Sequence, residues 1–220
     1  MNNENENIPI YVISLERARE RRDYINQKMT IPFHYFDAID GNNINPIDMI
    51  LKETYLFKDT YLNNGQIGCY LSHIKLLQQI SSPSIIFEDD VVFKYDLQKI
   101  LNIIKKINFT NYDIIFMGHC AESKGDIQQE IKQEEKYFNL HTSVYPRCMH
   151  AYIITKEGAT KILNFLTKSE NHINLPIDEV YAKMIYAKVI NSLSFHDTLI
   201  NQPWQESVNT LNFTSYTGSN

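Results

Sequence analysis

Three consecutive carboxylates, Glu88, Asp89 and Asp90, follow the apolar run at 85–87. A short run of this kind predicts a buried strand, and α/β sheets bind ligands where such strands end. Like charges this close repel one another unless a cation or a raised pKa relieves the repulsion. Mg²⁺ and Mn²⁺ favour carboxylate oxygens and often share them with substrate phosphates. The cluster therefore indicates a metal–diphosphate site, with an acidic loop facing water as the alternative.

Four arginines come just after the first predicted strand. Ser14 and Leu15 end that strand, and the next residues include Arg17, Arg19, Arg21 and Arg22. Guanidinium groups bind phosphate through two parallel hydrogen bonds. The i, i+4 spacing of Arg17 and Arg21 predicts that both lie on one helix face. They are candidate phosphate ligands. The alternative, which applies most to Arg19 and Arg22, is that the arginines lie on a solvated helix face and pair with acidic neighbours.

A segment with two glycines opens the helix predicted at 66–80. Gly68 falls in its first turn, where glycine has no propensity advantage, so close approach by a ligand or a strand explains it. Ser72 and His73 lie one turn further along, and packing is the alternative for the histidine. Gly118 ends another apolar strand, where it marks either a ligand site or a simple turn.

Two further carboxylates follow a proline at a predicted helix start. Asp178 and Glu179 come directly after Pro176 and Ile177. Acidic residues in a first turn favour the helix dipole, which is sufficient reason for their presence. The functional alternative is a general base facing a cleft.

Size and composition restrict the classes of protein. The 220 residues predict a single domain over 8–210, with flexible tails at 1–7 and 211–220. The net charge of −5 argues against holding a nucleic-acid backbone. Three cysteines without a CxxC pair, and no signal peptide, predict reduced thiols and a cytoplasmic location. No run approaches the roughly 18 apolar residues that span a bilayer, so at most peripheral membrane contact is expected.

The elements that position these residues alternate along the chain. Apolar and β-rich runs predict the strands, and amphipathic spacing predicts the helices between them. Predicted strands cover 8–15, 33–39, 85–87, 113–118, 151–155 and 189–195, and predicted helices cover 16–29, 66–80, 97–107, 156–166 and 177–187. The segment 48–62 predicts a loop with a short helix, and the charged segment 122–136 predicts a mobile lid or a surface excursion. This alternation indicates an α/β fold with a mostly parallel central sheet flanked by helices.

Taken in order, these segments resemble the family 25 glycosyltransferases. That family includes bacterial lipooligosaccharide galactosyltransferases and the galactosyltransferase domains that modify collagen hydroxylysine. The segments that carry the likeness are 11–17 with Arg21-Arg22, 36–41, 65–73, 85–90, 150–155, 158–159, 176–179 and 202–204. Two departures are Ser14, where the family usually has asparagine, and 207–210, which lacks an expected carboxylate.

The resemblance implies a GT-A-like fold, a UDP-sugar donor, Mn²⁺ or Mg²⁺, and inversion at the anomeric carbon. Galactose is the first choice of hexose and glucose the second. The acceptor hydroxyl would belong to a glycan, a lipooligosaccharide or a hydroxylysine-containing protein. An inactive nucleotide-sugar-binding module and a metal-dependent phosphohydrolase are the alternatives.

The resemblance also implies roles for the residues above. Asp90 and Glu88 would hold the metal, with His196 as a further ligand, and Asp89 would hold ribose or sugar hydroxyls. Asp178 would be the catalytic base and Glu179 its substitute. The other predicted nucleotide-sugar contacts are Ser14, Leu15, Arg17, Arg21, Gly68, Ser72, His73 and Gly118.

Overall fold

The computed structural model describes residues 8–120, 122–172 and 174–203. Its strands are β1 (Ile10–Ser14), β2 (His34–Asp37), β3 (Ser84–Glu88), β4 (Val92–Phe93), β5 (Ile114–Gly118), β6 (Lys124–Gln133), β7 (Lys136–Ser143), β8 (Ala151–Ile154), β9 (Ser192–Phe195) and β10 (Ile200–Asn201). Eight of them form one sheet in the order β2-β1-β3-β8-β5-β9-β7-β6, and β10 pairs with β4 separately.

The helices cover both faces of this sheet. They are α1 (Arg19–Lys28), α2 (Pro46–Tyr55), α3 (Asn64–Leu77), α4 (Leu97–Ile104), α5 (Lys156–Leu166) and α6 (Ile177–Tyr186). Successive residues of β3 point to opposite faces. Ile86 therefore packs in the apolar cluster that includes α3, α5 and α6, whereas Ile85 and Phe87 pack in the cluster with α1 and α4. None of the helices in the described ranges is long and apolar enough to cross a membrane.

The sheet is mixed. The pairs β1–β2, β1–β3 and β5–β9 are parallel, whereas β3–β8, β5–β8, β7–β9 and β6–β7 are antiparallel. The α/β class with flanking helices is confirmed. The sheet is less parallel than the sequence predicts because β8 runs backwards between β3 and β5, and because a hairpin extends one edge.

That hairpin corrects the prediction of a mobile lid at 122–136. Most of this segment is β6, which pairs along its length with β7. β6 is the last strand at its edge of the sheet, so most of its side chains are exposed and only Ile131 is buried. A strand with so few buried positions lacks the apolar alternation by which strands are predicted.

The short helix expected within 48–62 is α2, which begins two residues earlier. Asn45 caps it by accepting a hydrogen bond from the Asp48 backbone N–H, with Pro46 at the first position. Helix α1 begins only at Arg19, so Arg17 precedes it. The prediction that Arg17 and Arg21 share one helix face is therefore wrong.

The cysteines are not all reduced. Cys120 and Cys148 form a disulfide, with 5.6 Å between their Cα atoms, and Cys69 is free. Antiparallel pairing of β5 with β8 brings Gly118 opposite Ala151, and the two cysteines lie just beyond these partners. Their pairing therefore depends on a strand order that spacing along the chain does not reveal.

The same topology assembles one functional edge. Strands β1 and β3 run parallel, with Ile13 opposite Glu88, so their carboxyl ends meet. The Glu88 backbone N–H donates to the His150 carbonyl, which brings the start of β8 to this edge. Ser14, the acidic cluster and Gly118 therefore all lie where the strands β1, β3 and β5 have their carboxyl ends.

Candidate functional site

A pocket lies at the carboxyl ends of β1 and β3, against α3. The predicted site residues that line it are Ser14, Leu15, Arg21, Ser72, His73, Glu88, Asp89 and Asp90. The segment after β2 and two residues of α3 complete the wall with Ala38, Ile39, Asp40, Gly41, Gly65 and Cys69. Tertiary structure thus brings together most of the residues singled out from separate motifs.

Asp89 is buried and already satisfied at both oxygens. Its Oδ2 accepts from Ser14 Oγ at 2.7 Å, and its Oδ1 accepts from Arg21 Nη1 at 2.7 Å. Burial lowers the pKa of Arg21, but the charges of Asp89 and Asp90 outweigh this and raise it. Asp89 therefore holds a permanently charged guanidinium at the pocket wall, which is a positioning role in addition to any contact with a sugar.

Glu88 belongs to a chain of hydrogen bonds that runs from the pocket wall to the buried Tyr152. Its Oε1 lies 3.1 Å from His73 Nε2 and 3.7 Å from Cys69 Sγ, and His73 Nδ1 lies 2.8 Å from the Tyr152 hydroxyl. Burial favours the neutral acid, but hydrogen bonding and charge from His73, with smaller contributions from His150 and Cys69, leave the pKa of Glu88 below its ordinary value. His73 therefore favours the ionised form of Glu88.

Asp90 has weaker partners than its two neighbours. The Gln202 side-chain amide lies 3.3 Å from each of its oxygens, and Arg21 Nη1 lies 3.9 Å away. Burial and then the charge of Glu88 raise the pKa of Asp90 to about 7, with Asp89 adding to the shift and Arg21 opposing it. An added cation would relieve this repulsion.

The carboxylates therefore fit a hard divalent cation. Glu88 and Asp90 both line the pocket and offer oxygen ligands, the type that Mg²⁺ and Mn²⁺ prefer. Such ions are commonly held by one or two carboxylates, with water and substrate phosphates completing the coordination. His196 does not join them within the described part of the chain: its Nε2 lies 2.9 Å from Lys124 Nζ.

The two candidate bases on α6 have different surroundings. Asp178 Oδ2 accepts from the Cys148 backbone N–H at 3.2 Å. Burial, Glu88 and then Asp178 raise the pKa of the pocket thiol Cys69, so Asp178 lies close enough for its charge to act on that thiol. Glu179 is instead occupied by Arg147 Nε at 2.9 Å and by the Tyr145 hydroxyl at 2.9 Å.

Gly68 and Ser72 hold the loop that follows β2. A Cβ on Gly68 would lie 2.5 Å from the Ile39 carbonyl oxygen and 2.8 Å from the Gly41 nitrogen. Ser72 Oγ accepts from the Ile39 backbone N–H at 2.8 Å and donates to the Gly68 carbonyl at 2.6 Å. The close approach expected at Gly68 is therefore made by this loop, which in turn lines the pocket.

Arg17 and Gly118 lie beside the pocket rather than in its wall. Arg17 pairs with Asp40 at 2.8 Å and lines an adjacent groove. A Cβ on Gly118 would meet the His150 ring and the Ile200 carbonyl oxygen, the latter at 2.6 Å. Gly118 therefore allows β10 to approach the end of β5.

A model of glycosyltransferase family 25 (LPS biosynthesis protein) matches residues 7–181. The chain belongs to glycosyltransferase family 25. The resemblance inferred from the ordered segments is thereby confirmed, and the matched span contains every predicted site residue except His196.

Relatives of this family 25 chain include longer proteins. It is 27% identical over 207 residues to procollagen galactosyltransferase 1-A of Xenopus laevis, covering 85% of this chain and 32% of that protein. It is 28% identical over 195 residues to a protein of Haemophilus influenzae named as a glycosyltransferase, covering 80% of this chain and 62% of that protein. The chain thus spans about a third of the length of the procollagen galactosyltransferase. Among solved structures, A197 from STIV is similar with a TM-score of 0.38 and 13% identity, covering 88% of this chain and 82% of that one. This likeness is too weak to support an argument.

Some site residues of this family 25 protein were not found from the sequence. Cys69 could have been found, because it precedes His73 by four residues on one predicted helix. Gln202 and Tyr152 lie in segments that carry the family likeness, but no spacing along the chain links them to the site, since only the folded chain brings them to Asp90 and His73. Trp204, the 207–210 segment and both predicted tails lie outside the described residues.

Proposed function

We propose that this family 25 protein transfers a hexose from a UDP-sugar to an acceptor hydroxyl, with inversion and with Mn²⁺ or Mg²⁺. Galactose is the first choice of hexose, because several relatives are named procollagen galactosyltransferase, and glucose is the second. The observation that carries the proposal is Asp90, a carboxylate at a strand end that lines the pocket together with Glu88 and Asp89 and whose repulsion by them a further cation would relieve.

The donor side uses the acidic edge and Arg21. Asp90 and Glu88 would hold the metal, which when bound would neutralise charge developing on the departing UDP. Arg21, kept charged by Asp89, adds a fixed positive group for the diphosphate. Ser14 and Leu15 line the same wall and offer polar and apolar contacts to the nucleotide.

The acceptor side uses α6. Asp178 takes the proton from the attacking hydroxyl while that oxygen forms the new glycosidic bond on the face opposite the leaving group. One displacement of this kind inverts the anomeric carbon and needs no covalent enzyme intermediate. The Cys148 backbone N–H orients Asp178, whereas Glu179 already accepts from Arg147 and Tyr145 and is the substitute base. Candidate acceptors are glycans, lipooligosaccharides and hydroxylysine-containing peptides.

The test is UDP release from UDP-galactose and UDP-glucose with each acceptor class, with Mn²⁺ and then with a chelator. We expect acceptor-dependent release that chelation abolishes and that Asp178→Asn reduces more than Glu179→Gln does. UDP binding without turnover on any acceptor would instead identify a binding module. Phosphate release from simple esters without preference for UDP-sugars would identify a phosphohydrolase.

A further inference from the structure

A compact group of three different donor side chains lies in the pocket wall beside Asp90. Cys69 and His73 are four residues apart on α3 and therefore lie on one helix face, and Glu88 reaches them from the end of β3. Cys69 Sγ, His73 Nε2 and Glu88 Oε1 all lie within 4.8 Å of one another. All three residues line the pocket, so an ion at this group would keep an open side.

The spacing of these atoms suits a tetrahedral zinc ion. Zinc binds thiolate sulfur at about 2.3 Å and imidazole nitrogen or carboxylate oxygen at about 2.0–2.2 Å. Ligand atoms around such an ion are therefore about 3.2–3.8 Å apart. The structure has 3.1 Å between His73 Nε2 and Glu88 Oε1, and 3.7 Å between Cys69 Sγ and the same oxygen. Both distances are close to that range, and Cys69 Sγ and His73 Nε2 lie within 4.8 Å of each other, so the three donors converge on one point.

The surroundings of His73 also suit a ligand. Its ring is fully buried, and Nδ1 lies 2.8 Å from the Tyr152 hydroxyl. Histidines that bind metals usually have their second ring nitrogen held by a hydrogen bond, which sets the tautomer and the orientation of the ring. The Tyr152 contact orients His73 Nε2 toward Cys69 and Glu88.

We propose that Cys69, His73 and Glu88 form a zinc site whose fourth position opens into the pocket. The Cys69 thiol would release its proton to solvent as the ion binds, and the resulting thiolate together with an imidazole selects zinc over the hard ions Mg²⁺ and Mn²⁺. This site is distinct from the carboxylate pair proposed for Mn²⁺ but shares Glu88 with it. Zinc would therefore displace Mn²⁺ and inhibit transfer, a consequence that rests on the proposed function, whereas zinc binding itself does not.

The direct test uses the full chain without donor or acceptor. Titration with Co²⁺ as a spectroscopic substitute for Zn²⁺ should produce a thiolate-to-cobalt charge-transfer band and the visible bands of a tetrahedral ion. Zn²⁺ should abolish these bands at a single equivalent. Cys69→Ser should remove the charge-transfer band and weaken Zn²⁺ binding by at least tenfold, as measured by competition with a chromophoric chelator.

The disulfide-bonded pair supplies the matched control, because its sulfurs could bind a metal ion only after reduction. Cys120, Cys148 and His150 also have their ligand atoms within 4.8 Å of one another. The double variant Cys120→Ser with Cys148→Ser should keep the cobalt spectrum of the wild type. A spectrum that survives Cys69→Ser, or that is lost in the double variant, would overturn the assignment. Glu88→Gln keeps the thiol and the imidazole, and unchanged zinc affinity in this variant would remove Glu88 from the site and overturn the three-residue assignment.

Competition between the metals is tested without measuring transfer. Enhancement of water proton relaxation reports bound Mn²⁺, and Zn²⁺ should reverse the enhancement in the wild type but not in Cys69→Ser. Simultaneous binding of both ions would overturn the sharing of Glu88. Zinc binding in a protein that never binds Mn²⁺ would count against the proposed metal-dependent transfer and would leave the zinc site standing.

Discussion

Two carboxylates that lie at opposite ends of the strands of the same sheet have opposite surroundings. Asp113 precedes β5 and is buried, and Lys161 Nζ lies 2.8 Å from each of its oxygens. The Asn191 backbone N–H also donates to it at 2.8 Å. Asp90 follows β3 and, within the described residues, has 3.3 Å contacts from Gln202 and a more distant Arg21 at 3.9 Å; its pKa is raised to about 7. One carboxylate is compensated within the fold, and the other is not.

The difference separates a stabilising residue from a binding residue. A buried charge with good partners contributes to a unique fold, whereas a charge held among like charges costs stability until a ligand compensates it. Such a cost is expected where a site is preorganised for a ligand. Asp113 lies at the edge where β5 begins, and Asp90 lies at the edge where α/β sheets bind ligands.

The largest expected effect is the loss of transfer in Asp90→Asn. Removing this charge removes a ligand of the proposed metal, so kcat/KM should fall by about 100-fold or more. Initial rates of UDP release with saturating Mn²⁺ measure the change. Glu135→Gln, at an exposed hairpin position, controls for the loss of a charge. Near-normal rates in Asp90→Asn would remove Asp90 from the metal site.

Asp113→Ala should reduce stability and leave activity unchanged, the reverse of Asp90→Asn. It leaves the Lys161 ammonium and the Asn191 N–H without their acceptor, which should cost about 2–3 kcal/mol of unfolding free energy. Urea unfolding of the metal-free protein measures this cost. The remaining folded protein should keep its kcat, since Asp113 lies at the other edge of the sheet. A large loss of kcat without loss of stability would invalidate the comparison.

The pH dependence of stability should identify Asp90 as the unsatisfied group. The folded protein raises the pKa of Asp90 from 3.8 to about 7, so it binds this proton more tightly than the unfolded chain does. The contribution is present below pH 4 and is lost as pH rises through 7. Without metal, Asp90→Asn should therefore melt at a higher temperature than wild type at pH 8 and differ less at pH 5. Equal differences at both pH values would contradict the raised pKa.

The smallest effect is expected from the loop that lines the pocket. Ser72→Ala loses the hydrogen bond from the Ile39 N–H and should cost about 1 kcal/mol, with a few-fold rise in KM for the donor. Thr160→Ala is the matched control, because Thr160 also donates to a carbonyl four residues earlier but holds no loop. Thermal melting and donor titration measure both changes. Equal effects of the two substitutions would show that the loop contact contributes nothing.

Much of the framework follows from local sequence. The apolar run before Glu88 defines a strand, and the Asn63 and Gln66 side chains cap α3 at the point where the glycine segment begins. The strand at 151–155 was predicted, but its antiparallel direction and the hairpin at β6 were not, because a strand's direction and neighbours depend on pairing with distant residues. The disulfide between Cys120 and Cys148 follows from that pairing in the same way.

The sequence by itself determined that three carboxylates stand together at a strand end and that the ordered segments belong to family 25. Only the tertiary structure decided how the three differ, because each partner comes from a distant part of the chain. Arg21 and Ser14 satisfy Asp89, and His73 binds Glu88. Asp90 keeps the weakest partners of the three, since desolvation and repulsion depend on distances in space.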